Sequence, residues 1–297
     1  MTVLDRRLPP PPPNAAAAPT AVRRRMTLST VLFLALMILW TLVSLGPLIW
    51  MVLDALRTNN QIFSSAIGLP SLSHASNFSQ AWTQASLGHA LLISVGVNVA
   101  SVALAGVCSI GVGFALSRGG LPLRGALLTF FLLGLMIPTF SILIPLLTQF
   151  QAAGLTDSFS GLVLVYSGFS ISLGVFLFKG AFDGIPKDYL EAAALDGASV
   201  PRMLMSVLLP MIRPTIATFS ILTFLNGYND FVFALTLISD QNKRTLPLAL
   251  LQFSGQYGTQ YNLVFAAVTI STVPALLAYL FLRRQIQTSL AMSGGVK

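Results

Sequence analysis

Residues 183–214 read DGIPKDYLEAAALDGASVPRMLMSVLLPMIRP. This is the largest polar interruption between the interior apolar runs. It brings together Lys179, just ahead of it, with Asp183, Lys187, Asp188, Glu191, Asp196, Arg202 and Arg213. Pro186 suits the first turn of a helix, where a missing N–H costs nothing. A run of Glu, Ala and Leu follows, and Gly197 behind it reads as a C-terminal cap. Ser199 can open a second helix, whose stripe Val200, Met203, Leu204, Val207, Leu208 and Met211 keeps the i, i+3, i+4 spacing. Pro210 and Pro214 end or kink that helix. Two short helices meeting at a glycine between apolar spans make a rigid elbow. Spacing alone fits an amphipathic pair lying in the membrane interface equally well.

Glu191-Ala192-Ala193, then Gly197, then Val207-Leu208-Leu209-Pro210 resembles the EAA loop of binding-protein-dependent ABC importer permeases, with Val207 where Ile is usual. The resemblance implies an all-α integral membrane protein of the type I importer permease fold, with this loop as its cytoplasmic coupling helix. It also implies that Tyr189, Glu191, Ala192, Ala193, Asp196, Gly197, Met203, Leu209 and Pro210 meet an ATPase subunit. The residue types are compatible: Leu190, Ala193, Ala194 and Gly197 share a face, and small residues let another backbone come close.

Composition agrees with a membrane protein. The 297 residues are 55% hydrophobic and 9% charged, and the mean hydropathy is +0.79. The formal charge of +8 does not mark a nucleic-acid binder, because the basic residues flank apolar runs and form no soluble basic face. Cys108, the one cysteine, lies within an apolar run and suits packing.

Residues 1–27, rich in Pro, Ala and Arg, read as a disordered cytoplasmic tail. Apolar stretches near 28–53, 87–117, 124–150, 158–180, 213–238 and 261–283 are each long enough to cross a core of about 30 Å. They define a permease domain over 28–284, with the coupling loop at 183–212 and a cytoplasmic tail at 285–297. Six spans put both termini on one side. With the amino end inside, 14 of the 17 Lys and Arg residues are cytoplasmic, and only Arg57, Lys243 and Arg244 lie outside. That bias orients the chain and places the elbow in the cytoplasm. In the external segment 54–86, Leu69-Pro70, Asn77-Phe78 and Ala81-Trp82 resemble carbohydrate-type permeases. Tyr228-Asn229-Asp230 and the ending Ser293-Gly294-Gly295-Val296-Lys297 extend that likeness to the second permease subunit of maltose-type importers.

Polar groups at membrane depth require partners or a function. Asn226, Asn229 and Asp230 stand at i, i+3 and i+4 with Tyr228 beside them, offering hydroxyl-rich cargo both donors and acceptors. Tyr166, Ser167 and Ser170 share a face of the fourth span with Gly174. Packing between helices explains each group as readily as a substrate pathway does. Asn98 is a similar case. Pro138 and Pro145 interrupt the third span, and Gly111 with Ala115 suits a close helix contact.

No G-x-x-x-x-G-K-[ST] sequence occurs, so the chain has no Walker A loop of its own. His74, His89 and Cys108 make a poor metal inventory, and no cofactor or catalytic constellation stands out. The family likeness implies a permease subunit in the bacterial inner membrane. Its partners would be a second homologous permease, two ATP-binding cassette subunits, an extracytoplasmic solute-binding protein, a sugar and membrane lipid. A polyol or glycerol-phosphate cargo is the alternative within the class, and an ion-coupled transporter using Asp230 is the alternative outside it.

Overall fold

A computed structural model describes residues 27–65, 74–255 and 258–294. The Pro-rich head, Leu69-Pro70 and the last three residues lie outside these. The chain divides into two units, 1–48 and 49–297. Helix α1, Leu28–Asp54, begins in the first. It is apolar on every side, with mean hydropathy 2.3, as a helix immersed in lipid requires.

In the second unit, short α2 (Asn59–Ser64) opens with a capping box between Thr58 and Gln61, and α3 (Ser76–Gln84) follows. Long α4 (Leu87–Arg118) and α7 (Phe159–Asp183) pack along most of their lengths. Their seam is made of small residues. Ser101, Ala105, Ser109 and Gly113 recur every four positions on α4, and all are buried. Ser167 Oγ donates to Ser101 O at 3.2 Å, and Ser109 Oγ donates to Ile171 O at 3.2 Å. A Cβ on Gly174 would lie 2.3 Å from Ser109 Oγ and 2.8 Å from Phe219. This is small-xxx-small packing, which lets van der Waals contact and interhelical hydrogen bonds act where the hydrophobic effect is absent. The contact does not use Gly111, which has nothing within 4 Å of an added Cβ; at Gly113, two positions on, an added Cβ would lie 3.0 Å from Lys179 N.

Three expected spans differ in detail. The third is two helices, α5 (Arg124–Gly134) and α6 (Leu143–Ala152), the latter entered through a 3-10 turn at Thr139–Ile142. The two halves are bent by 93°. Pro138 sits at the break, has no N–H to donate and pushes Ile137 out of helical geometry. The segment expected to couple forms α8 (Asp188–Leu195), α9 (Val200–Met203), a π-helical turn over Leu204–Leu208, and α10 (Leu209–Met211). The fifth span, expected over 213–238, is likewise broken: α11 (Arg213–Tyr228) stops and α12 (Val232–Leu237) restarts. Short α13 (Leu246–Ala249) leads to a small hairpin pairing Ser254 with Thr259. The sixth span, expected over 261–283, is covered by α14 (Tyr261–Gly294), which runs well beyond residue 283, with its apolar part at Tyr261–Leu277 among the described residues.

The ends of the bundle remote from the elbow are closed by polar networks. Asp54 and Arg57, each 3% exposed, form an ion pair at 2.7 Å. The same guanidinium donates to Gln61 O and Ser65 O, and Trp50 Nε1 donates to Asp54. Asn77 donates to Ala55 O and Arg57 O and accepts from Asn262, tying α3 to α14. Asp157, in left-handed geometry at φ 48°, accepts from Ser239 N at 2.6 Å and Asp240 N at 2.8 Å. Those two backbone donors, with the charge of Lys243, outweigh its slight desolvation and hold its carboxyl below the usual range. The loop after α12 is thereby clamped to the turn before α7.

The seam sets a stability test. Gly174→Ala overpacks it and should cost about 1–3 kcal/mol, whereas Gly111→Ala should be neutral. Melting curves of the two variants in lipid nanodiscs read the difference.

Candidate coupling elbow and membrane cavity

The elbow is built by local rules. Asp188 and Glu191 fall in the first turn of α8, where the helix dipole favours acids. The helix ends at Gly197, whose φ of +74° is a left-handed value that suits glycine. Gly197 N bonds to Ala194 O and Ala198 N bonds to Ala193 O, satisfying carbonyls at the helix end. Pro186 lies ahead of the first turn, and Lys187 is the N-cap. Ser199 occupies the N-cap of α9 with extended backbone, but its hydroxyl makes no capping bond. The π turn follows from Pro210. That residue cannot donate, its ring crowds the carbonyl four residues back, and Leu209 N reaches Leu204 O. A bend of 77° then separates 200–211 from α11.

One side of the elbow is anchored. Ile185, Leu208 and Ile212 are buried with Ala105, Phe178, Phe182 and Phe219 of α4, α7 and α11. The other side is bare. Tyr189 is 51% exposed, Leu195 89%, Val200 58% and Met205 67%. Glu191, Ala192, Asp196, Gly197 and Pro210 are also exposed; Met203 and Leu209 are half-buried, and Ala193 is buried. Apolar side chains exposed this way fit a partner surface or a membrane interface.

A polar latch joins the elbow to the seam. Arg118, the last residue of α4, donates through Nη2 to Phe182 O and Ile185 O. Ser117 and Lys179 both donate to Asp183, each at 2.6 Å. Partial burial acts to raise the Asp183 carboxyl, but these two donors and the Lys179 and Arg118 charges hold it low. Nothing in the loop motif pointed to Arg118. The signal was its position, a basic residue closing an apolar helix whose neighbour ends at an acid.

The second feature is a cavity of about 350 Å³ between α7, α11, α12 and the break in the third span. Tyr166, Ser170, Thr223, Asn226 and Asp230 contribute its polar groups, with Thr139 at the break. Tyr166 donates to Asp230 Oδ2 at 2.9 Å. Asp230 also accepts from Phe233 N and Ala234 N, so it caps α12 where the helix restarts. Thr223 is 3% exposed, and its hydroxyl has no partner among the described residues. The lining contains no Lys or Arg.

The structure separates the remaining pathway expectations. Asn229 lies outside the lining, exposed, with its amide on Leu225 O; the i+3 extrapolation fails because α11 ends one residue earlier. Tyr228 is buried on another side, donating to Ser271 O of α14. Ser167 is spent in the seam. Asn98 sits behind Gly227, where an added Cβ would lie 2.0 Å from its Oδ1. Thr223 was missed because a lone threonine in an apolar helix gives no signal until its neighbours are placed.

Residues 108–290 match the family model described as binding-protein-dependent transport system inner membrane component. The chain belongs to that family. Relatives agree along nearly the full length of this permease. The diacetylchitobiose uptake system permease protein NgcG of Streptomyces coelicolor is 33% identical over 86% of each chain. The probable starch degradation products transport system permease protein AmyC of Thermoanaerobacterium thermosulfurigenes is 31% identical over 91% of this chain and 96% of its own. The fold is that of a chain in a bacterial ABC transporter involved in alginate import, with TM-score 0.75 at 18% identity, covering 86% of this chain and 95% of that one. The permease is thus an inner-membrane subunit of an ABC importer, in a family whose members act in transport.

The latch makes a local prediction. Arg118→Ala leaves two carbonyls without their charged donor, a loss of about 1.5–3 kcal/mol. Hydrogen exchange should therefore rise about tenfold or more at the amides of residues 183–190, with the far end of α4 unchanged.

Proposed function

We propose that this permease forms half of the transmembrane pathway for a saccharide, delivered by an extracytoplasmic binding protein and driven by ATPase subunits that dock on the elbow. The observation that carries this reading is the cavity's chemistry and its mounting. A site of hydroxyl, amide and phenol groups with one carboxylate, Asp230, and no cation suits a neutral polyhydroxyl cargo, and a phosphorylated one would call for a Lys or Arg. The buried, unpartnered Thr223 hydroxyl is a group that a ligand would satisfy. The cargoes named for NgcG and AmyC, diacetylchitobiose and starch degradation products, support the same class.

The mechanism follows from shared helices. α7 and α11 line the cavity, and their elbow-side ends pack against the buried face of the coupling segment. Closure of the ATPase dimer would pull the exposed residues from Tyr189 to Met205. The anchored face would pass that movement to α4, α7 and α11 as a tilt. The break at residues 229–231, held by the Asp230 cap, would serve as the joint at which the pathway changes its open side. In this reading both termini and the elbow are cytoplasmic, a homologous permease completes the pathway, and ATP is hydrolysed on the partner subunits. The domain plan is a permease body over 28–284 with short cytoplasmic ends.

Transport and ATPase assays on the reconstituted complex test both halves. Thr223→Val and Asn226→Ala should each slow saccharide uptake about tenfold, the worth of one hydrogen bond, with ATPase stimulation retained. Normal rates and selectivity in both variants would remove the cavity from the pathway. Gly197→Val forces a side chain into left-handed geometry at about 1–2 kcal/mol. It should lower ATPase stimulation and uptake together.

A further inference from the structure

The orientation read from the basic residues leaves three cations outside, and the structure accounts for two of them. Arg57 is paired with Asp54; Lys243 lies 3.7 Å from Asp240 and donates to Asp157 O. Arg244 has no acid partner among the described residues, and its Nε is buried without an acceptor. It lines a second cavity, of about 280 Å³, at the far end from the elbow. Gln84 and His89 enter this cavity from the α3–α4 corner, Gln241 and Asn242 from the loop after α12, and Gln252 from the turn after α13.

The cavity is rigidly built. His89 Nε2 meets Asn242 O at 2.9 Å; a carbonyl only accepts, so this ring nitrogen carries the proton. Asp157 clamps one end of the loop through Ser239 N and Asp240 N. Ser94 Oγ accepts from Leu246 N at 2.7 Å at the other end, next to Leu246 and Leu248, both buried. A half-buried guanidinium whose Nε lacks an acceptor, ringed by carboxamides able to donate N–H, is a donor set for a carboxylate.

We infer that this cavity receives the carboxylate of an Asp or Glu side chain on the extracytoplasmic binding protein, with Arg244 as its ionic partner. The inference rests on the orientation and binding-protein dependence proposed above. Charge decides the occupant: a neutral saccharide needs no guanidinium, whereas a protein docking on this face can bring the missing acid. The volume admits a side chain, and the site stands apart from the membrane cavity, so docking and cargo recognition use different residues.

The test uses the complete transporter in nanodiscs with its binding protein. ATPase activity is titrated against binding-protein concentration. Arg244→Gln should raise the concentration for half-maximal stimulation at least tenfold and flatten its salt dependence, with the maximum unchanged. Arg244→Lys, which keeps the charge and loses the fork, should fall between. Arg244→Glu should be rescued by an Asp or Glu→Lys substitution found by scanning the binding protein's acidic residues. An unchanged half-maximal concentration in Arg244→Gln would overturn the proposal. So would a change confined to saccharide KM at saturating binding protein, or a lowered melting temperature in Arg244→Lys without a docking defect. If the unmodified transporter shows no stimulation by any binding protein, the functional reading itself has failed, and not only this site.

Discussion

The close approach of α4 and α7 is the constraint on which the rest of this permease depends. In lipid, two apolar helices gain little by hiding from the solvent, so association must come from contact and hydrogen bonding. The repeat Ser101, Ala105, Ser109, Gly113 supplies both, because small side chains let backbones meet and serine hydroxyls reach across. Phe178 and Phe219 then fill the space where the seam meets α11, with ring centroids 5.1 Å apart. A seam this tight leaves α4 and α7 little room to slide past one another.

Polar ties add to the apolar packing at both ends of the bundle. At the elbow end, Arg118 and Asp183 tie the last turns of α4 and α7 to the first residues of the coupling segment. At the far end, Asp54, Arg57, Asn77 and Asn262 link α1's last turn, α3 and α14. A buried ion pair contributes little net stability, since desolvation offsets attraction. Its value here is geometric. Arg57 also donates to the carbonyls of Gln61 and Ser65, and so fixes the C-terminal turn of α2 against the end of α1.

Between the two ends, the chain groups its irregularities around the membrane cavity. The breaks at Pro138 and at residues 229–231 face a common cavity, and each is stabilised locally: the first by a 3-10 turn, the second by the Asp230 cap. Non-helical backbone at membrane depth is tolerated only where protein or a cavity takes up its polar groups. The π turn ahead of Pro210 performs the same office in the elbow, absorbing a missing donor without ending the segment.

Much of this was legible in the order of residues. Apolar runs of sufficient length follow from bilayer thickness; Gly197 announces a left-handed cap, and the Glu191-to-Pro210 spacing identifies the elbow. Those features are local, set by neighbours within one or two helical turns. Tertiary structure decided which polar groups meet. Tyr166 and Asp230 are 64 residues apart in sequence, and Arg118 and Phe182 are equally distant. Helical periodicity placed Asn229 on one face with Asn226 and Asp230, but α11 stops at Tyr228, ahead of both Asn229 and Asp230. A residue's face can be read from its period only while the helix continues; which hydroxyl remains unpartnered, as Thr223 does, is settled only once every neighbouring helix has taken its place.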